Sequence, residues 1–278
     1  HPADRGYTGH DRLAGAGQRV MLFTSTDIIT WFGSLFWPFV RIAAMLAIAP
    51  VFNSRLLPKR ARLVAALLLT WIVVPVIPAV PAVDPLSAAS ALITVQQMLI
   101  GLAIGFSVQL VFATLIIAGQ TIAMGMGLGF AQMVDPQNGV NVPVIGQYYV
   151  VIATLLFLAM NGHLALIQMV VDSFQFLPVG VDSLTRGDLR SIAHWGTRMF
   201  ADAMMVALPA VAAILLVNLS FGVVSRSAPQ LNIFGVGFPV TLTLGFVIMV
   251  FAIANLAPQM QVLMDGALEA VTLFGTGG

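Results

Sequence analysis

The stretch LSAASALITVQQMLIGLAIGFSVQLVFATLIIA, Leu86 to Ala118, contains no Asp, Glu, Lys or Arg. It is longer than the roughly 20 residues a helix needs to cross a bilayer. The pattern extends on both sides, because between Asp84 and Asp172 the sole formally charged side chain is Asp135. A water-soluble domain cannot hide that much uncharged apolar chain, so its surroundings are lipid or partner protein. Backbone polar groups in lipid must pair internally, and no alternating ten-residue barrel pattern is visible. The expected fold is therefore all-α, a polytopic membrane protein.

Working outward, further apolar runs are separated by short punctuation. Ile28 to Val51 carries Pro50 near its end, and Ala61 to Val80 dissolves into PVIPAVPAVDP, whose prolines end any helix. Val144 to Met160 is followed, past Asn161-Gly162-His163, by a shorter run to Leu177. A polar link from Pro178 to Arg190 holds Asp182, Arg186, Asp188 and Arg190. Ile192 to Val224 and Phe238 to Leu256 close the series, giving six or seven helices. The Leu86–Ala118 run exceeds what a bilayer requires, so it is expected to tilt, kink or project.

His1 to Val20 stands apart, with Arg5, Arg12, Arg19, Asp4, Asp11 and four glycines. It lacks the apolar core of a signal peptide. Residues 1–20 are expected to be a disordered or non-native extension ahead of a start at Met21, with residues 21–278 as the integral membrane domain. Arg55, Lys59, Arg60 and Arg62 crowd the first connection, whereas Pro78 to Leu86 has no Lys or Arg. The positive-inside rule puts that first connection in the cytoplasm.

Composition narrows the function classes. Hydrophobic residues make up 59 % of the chain and charged residues 8 %, with a net charge of +1, so there is no electrostatic case for nucleic acid binding. The chain has no cysteine, which removes disulfides, thiolate chemistry and Cys-based metal sites. No GxSxG, HExxH, P-loop or paired carboxylate on one helix face is present, so no enzyme is expected and no cofactor. His163 has no His, Cys or carboxylate at ligand spacing and reads as a turn residue.

The segment GQTIAMGMGLGFAQMVDPQNGVNVP, Gly119 to Pro143, is the least lipid-like part of the uncharged region. Irregular backbone at membrane depth is tolerated only where protein buries it or a cavity hydrates it. Gly125, Gly127 and Gly129 alternate with Met126, Leu128 and Phe130. Small-residue helix packing is one reading. However, a spacing of two does not line one helical face, and each glycine costs a helix about 1 kcal/mol. A flexible loop carrying soft Met and Phe side chains, able to fill and vacate a pore, is the other reading.

Charges within the apolar runs need partners. Arg41 lies mid-segment, where insertion costs about 2.5–3.5 kcal/mol. It either pairs inside the bundle or contacts another subunit. Asp202 follows Arg198 by four residues, as a local helix pair would.

Four motifs carry a resemblance. FVRIAAMLAIAPVFNSRLLPKRARLVAALLL (39–69), GFAQMVDPQNGVNVPVIGQ (129–147), LLFLAMNGHLALIQMVVDSFQFLPVG (155–180) and VSRSAPQLNIFGVGFPVTLTLG (224–245) resemble the FliR family of flagellar export-apparatus proteins. The SctT proteins of injectisomes are its relatives, and the last two motifs favour the flagellar branch. The resemblance runs from about Asp27 to the last helix. It implies a FliP-like part followed by a FliQ-like helical hairpin, roughly Ile192 to Leu263, in a spiral export gate partly raised above the membrane. It implies partners too: FliP-like, FliQ-like, FlhA-like and FlhB-like chains, exported unfolded flagellar proteins, and the lipid of the bacterial inner membrane at the flagellar basal body.

The family's plug loop falls on Gly125 to Asp135, with Gly125, Gly127 and Gly129 as pivots and Phe130 and Met133 facing the constriction. The second of these is often aromatic in relatives, so Met133 implies a softer seal. Arg41, and Arg226, Pro229, Gln230 and Asn232 at the hairpin tip, are the expected subunit contacts; a tip that satisfies itself locally is the alternative. An injectisome-type export subunit, a secondary transporter and an intramembrane enzyme are the rivals. A transporter should show internal repeats and a paired ionisable site, and neither is evident.

Overall fold

Each apolar run forms a helix in the computed structural model, which describes residues 25–54, 57–128, 144–181, 183–227 and 237–273. Eight α-helices occupy them: α1 Ser25–Ile48, α2 Lys59–Val73, α3 Ala88–Gly125, α4 Val144–Ala159, α5 Gly162–Phe176, α6 Arg186–Ser227, α7 Phe238–Ala254 and α8 Leu256–Thr272. A 3-10 turn at Val74–Val76 opens the proline-rich segment. No strand occurs among the described residues, so the fold is all-α. Residues 1–24, which include the polar extension, lie outside the described residues.

Helices α1, α3 and α6 contain stretches long and apolar enough to cross a membrane. Two more spans are possible from bent pairs, α4 with α5 at 67° and α7 with α8 at 54°. Asn161, with φ +56°, turns the first pair, and Asn255 sits at the second break.

The helix count exceeds the six or seven expected because the chain continues past Asn255 as α8. That helix is amphipathic: Met260, Met264, Ala267 and Val271 are buried, while Gln261, Asp265 and Glu269 face outward. Its polar stripe lowers the average hydropathy and hides it from a search for wholly apolar runs.

Two other boundaries move. Helix α3 runs through Gly119 to Gly125 instead of stopping at Ala118. Packing overrides the propensity cost there, since Ile122 and Ala123 are buried and a Cβ at Gly119 would lie 2.7 Å from the Tyr149 ring. Helix α6 begins at Arg186, inside the expected polar link. Thr185 and Asp188 close a capping box at its start, with Thr185 N and Oγ1 donating to Asp188 Oδ2 at 2.8 and 2.7 Å and Asp188 N donating to Thr185 Oγ1 at 3.3 Å.

Helix α3 is the axis of the molecule and packs against α1, α4, α5, α6 and α8. Ile100, Ile104, Val108, Leu115 and Ile122 along it are buried, and Phe112 meets Phe157 of α4 edge-on at 5.5 Å. Its crossing with α1 is close because GLAIG places Gly101 and Gly105 one turn apart. A Cβ at Gly101 would run into the Arg41 carbonyl oxygen, and one at Gly105 would lie 2.6 Å from that of Met45.

The outer faces stay apolar. Leu68, Trp71 and Ile72 of α2 and Met205, Leu216 and Leu219 of α6 are exposed. With 38 and 42 residues, α3 and α6 reach about 57 and 63 Å at 1.5 Å per residue, against a hydrocarbon core of about 30 Å.

Candidate functional site

The point where α3 ends is where the chain enters the Gly/Met segment. Gly127 adopts φ +82°, a left-handed conformation that glycine takes without steric cost and that commonly stops a helix. Its N–H donates to the Met124 carbonyl at 3.0 Å, and that of Met126 to Ile122 at 3.0 Å. Met124 faces outward, whereas Met126 is buried.

Two helices grip this end. From α6, Asn218 Nδ2 donates to the Gly125 carbonyl at 3.3 Å, and Ile214 lies 3.6 Å from where a Gly125 Cβ would sit. From α7, Gly245 leaves the space that Met126 fills, as a Cβ there would be 2.6 Å from Met126 Cγ. The Phe238 ring is 3.4 Å from the position of a Gly127 Cβ. The α3 end is thus held between the arms of the hairpin formed by α6 and α7.

Of the residues expected to form the plug, Gly125 and Gly127 lie at this junction. Gly129, Phe130, Met133 and Asp135 lie outside the described residues, as do Pro229, Gln230 and Asn232 of the hairpin tip. Arg226 is exposed in the last turn of α6, where a cation complements the free helix carbonyls.

Arg41 forms a second constellation, away from that junction. It is wholly buried, and its guanidinium donates to Gln97 Oε1 at 2.8 Å, Ser173 Oγ at 3.0 Å and the Leu177 carbonyl at 2.8 Å. The same group lies 4.0 Å from the Phe174 ring centroid. Of the two readings of Arg41, pairing inside the bundle is the one this geometry describes: its hydrogen bonds are made to α3, to α5 and to the residue that follows α5, and the side chain is buried within the chain. Beside it, Gln96 receives Ser183 N–H at 3.1 Å and donates to the Val181 carbonyl, which pins the link that follows α5.

The remaining polar residues are local. Arg198 Nε lies 3.9 Å from Asp202 Oδ2 on one face of α6, and Gln168 Nε2 donates to Asp172 Oδ1 at 2.9 Å on α5. His163 follows the Asn161-Gly162 turn, with its Nδ1 buried and without a hydrogen-bond partner among the described residues. Among the described residues no group of three or more His, Asp or Glu is placed to hold a metal ion.

Phe238 and Gly245 lie within the last quoted motif without standing out in it, and Asn218, Gly101 and Gly105 lie outside all four. The i, i+4 glycines of GLAIG were the available signal for the last two. Asn218 is marked by its position, a lone amide in the apolar run ILLVNLSFGVV (214–224).

Residues 32–267 match the model of a protein family described as bacterial export proteins, family 1. The chain is 40 % identical to the flagellar biosynthetic protein FliR of Escherichia coli K12, covering 84 % of this chain and 90 % of that one. Identity to FliR of Pectobacterium carotovorum is also 40 %, over 81 % and 86 % of the two chains. FliR of Bacillus subtilis is 32 % identical over 81 % and 87 %.

Proposed function

The chain belongs to the bacterial export proteins, family 1, with the FliR proteins, and on that premise we propose that it is a membrane subunit of the flagellar protein export gate. Similarity to FliR proteins along most of the chain carries this reading. Its partners are FliP-like and FliQ-like chains in the channel and FlhA-like and FlhB-like proteins beside it, in the inner membrane at the flagellar basal body. Its cargo is unfolded flagellar protein.

The physical features fit an assembled subunit better than a solitary one. Helices α3 and α6 are about twice the length of the hydrocarbon core, and the exposed large apolar residues of α6 run from Phe200 to Val224. Lipid covers only about 30 Å of helices this long, and neighbouring subunits cover the rest.

Within the assembly, Gly125 to Asp135 acts as the seal of the resting channel. A pore wide enough for an unfolded chain leaks ions unless apolar groups exclude water from it, and hydrophobic constrictions gate by dewetting. Phe130 and Met133 supply those groups; Gly125, Gly127 and Gly129 let the backbone move. Arg226, Pro229, Gln230 and Asn232 at the hairpin tip meet a neighbouring subunit.

The test is replacement of the resident FliR in a motile bacterium by this chain. Restored secretion of flagellar substrates, with FliP-like and FliQ-like chains copurifying in mild detergent, is expected. Membrane insertion at normal levels with neither result would contradict the reading.

A further inference from the structure

We propose that the cleft between α3, α6 and α8 is a phospholipid site, which takes a phosphoethanolamine headgroup at Arg198 and Asp202 and the start of an acyl chain within. Helices α6 and α8 both pack on α3. Between the three lies a cavity of about 100 Å³, walled by Leu110, Val111, Leu263 and Ala267 and reaching the outside at Arg198, whose side chain is 70 % exposed. Pockets that enclose a whole small ligand run to about 300–1,000 Å³, so what enters this one is part of a molecule that continues outside. The wall offers that part no free proton. The hydroxyls of Ser107 and Thr114, which also line it, donate to carbonyls of their own helix, Ile104 at 2.8 Å and Leu110 at 3.0 Å. Gly266 widens the cavity from α8. No atom of the described residues lies within 4 Å of where its Cβ would be, so no contact within the chain explains a residue that weakens a helix. Glycine there leaves room for a ligand to lie against the backbone.

The mouth carries one charge of each sign. Arg198 Nε and Asp202 Oδ2 are 3.9 Å apart, too far for a hydrogen bond, so each keeps bonding capacity for a third group. A phosphate accepts from the guanidinium fork, and a primary ammonium donates to the carboxylate. A phosphoethanolamine headgroup holds both, a few bonds apart. An anionic glycerol headgroup would leave Asp202 facing negative charge, and a choline has no N–H to offer it. The level along α6 also suits a lipid headgroup. From Ala203 to Ser225 the helix carries no charged residue, a run longer than the roughly 20 residues a span needs, and Met205, Leu216 and Leu219 are exposed along it. Arg198 and Asp202 stand at the edge of that run, with Trp195 one turn before Arg198, as aromatic and charged residues do at a membrane–water boundary.

The experiment isolates the chain through a tag, with whatever chains accompany it, into nanodiscs containing phosphatidylethanolamine with a photoactivatable group on its acyl chain. Crosslinks are mapped by peptide mass spectrometry. Labels are expected on the cavity walls, within residues 107–114 and 262–270. Unlabelled phosphatidylethanolamine is expected to compete for those labels roughly tenfold better than phosphatidylglycerol or phosphatidylcholine, the worth of one charge-assisted hydrogen bond. Gly266→Leu fills the cavity with no atom to displace, and is expected to remove these labels while others on the outer faces persist. Should that variant not be recovered, Asp202→Asn decides, since it keeps the shape of the mouth and is expected to abolish the preference over phosphatidylcholine. Equal competition by the three lipids, wall labels that persist in Gly266→Leu, or labels on the outer faces alone would overturn the site in favour of a general lipid shell. Soluble glycerophosphoethanolamine that competes as well as the lipid would overturn the role of the acyl chain, and with it the assignment to a phospholipid.

Discussion

Arg41 Nη2 donates to the carbonyl oxygen of Leu177 at 2.8 Å, tying the middle of α1 to the residue that ends α5. With the bonds to Gln97 and Ser173, this one side chain joins three helices that are far apart in sequence. Because the group is buried, truncation leaves acceptors without donors, and each such loss costs about 1–3 kcal/mol. Arg41→Ala is expected to lower the thermal stability of the purified complex or the level of the chain in membranes. Arg41→Lys should recover only part, since an ammonium cannot reproduce the planar fork that reaches three acceptors. An Arg41→Ala chain as abundant and heat-stable as the parent would count against the clamp.

Glycines in this chain differ sharply in what surrounds them. Gly101→Val drives a Cβ into the Arg41 carbonyl and should separate α1 from α3, at about 1–3 kcal/mol or more. Gly196 of α6 has nothing within 4 Å of its Cβ position, so Gly196→Ala should be neutral or stabilising by up to about 1 kcal/mol. Thermal denaturation of both variants in detergent checks the contrast, which fails if the two behave alike.

The capping box at the start of α6 gives a quantitative test. Thr185→Ala and Asp188→Ala each remove bonds from the same pair and should cost about 0.5–2 kcal/mol. The double variant should cost less than the two single losses added together, because the partners bond to each other. Additive losses would mean that the two residues act independently.

How much of this was legible in the sequence depends on the range of the interactions. The absence of charge around Leu86–Ala118 pointed directly to membrane helices, because burial in lipid is a matter of composition. The end of α3 was not visible, since Gly119 looks like a helix breaker until Tyr149, 30 positions on, is known to pack against it. Helix α8 does not show as an apolar run because Gln261, Asp265 and Glu269 interrupt it. Its buried residues at 260, 264, 267 and 271 nevertheless keep a helical period. Arg41 stands out in the sequence as a charge in need of partners, but Gln97, Ser173 and Leu177 are 56 to 136 residues away and carry no local mark. At the candidate site, Gly125 and Gly127 stand out by their alternation with Met126 and Leu128. Asn218 and Gly245 complete the grip only once α6 and α7 fold against the α3 end.

The outer faces of α2 and α6 predict behaviour outside the assembly. Trp71 is 72 % exposed and Met205 72 %, within wide apolar outer surfaces, and α6 is longer than lipid alone can cover. Expressed without FliP-like and FliQ-like partners, the chain should be degraded or run as a heterogeneous population on size exclusion. A stable, monodisperse monomer from solitary expression would contradict the assembly reading.

On the proposed function, the segment from Gly125 to Asp135 keeps the resting channel closed to ions. The direct measurement is ion conductance of membranes carrying the assembled complex, parent against Phe130→Ala/Met133→Ala. Replacing both bulky apolar side chains removes the groups that exclude water, so conductance at rest should rise while copurification of the partner chains is unchanged. A double variant that assembles normally and is as ion-tight as the parent would show that the seal lies elsewhere.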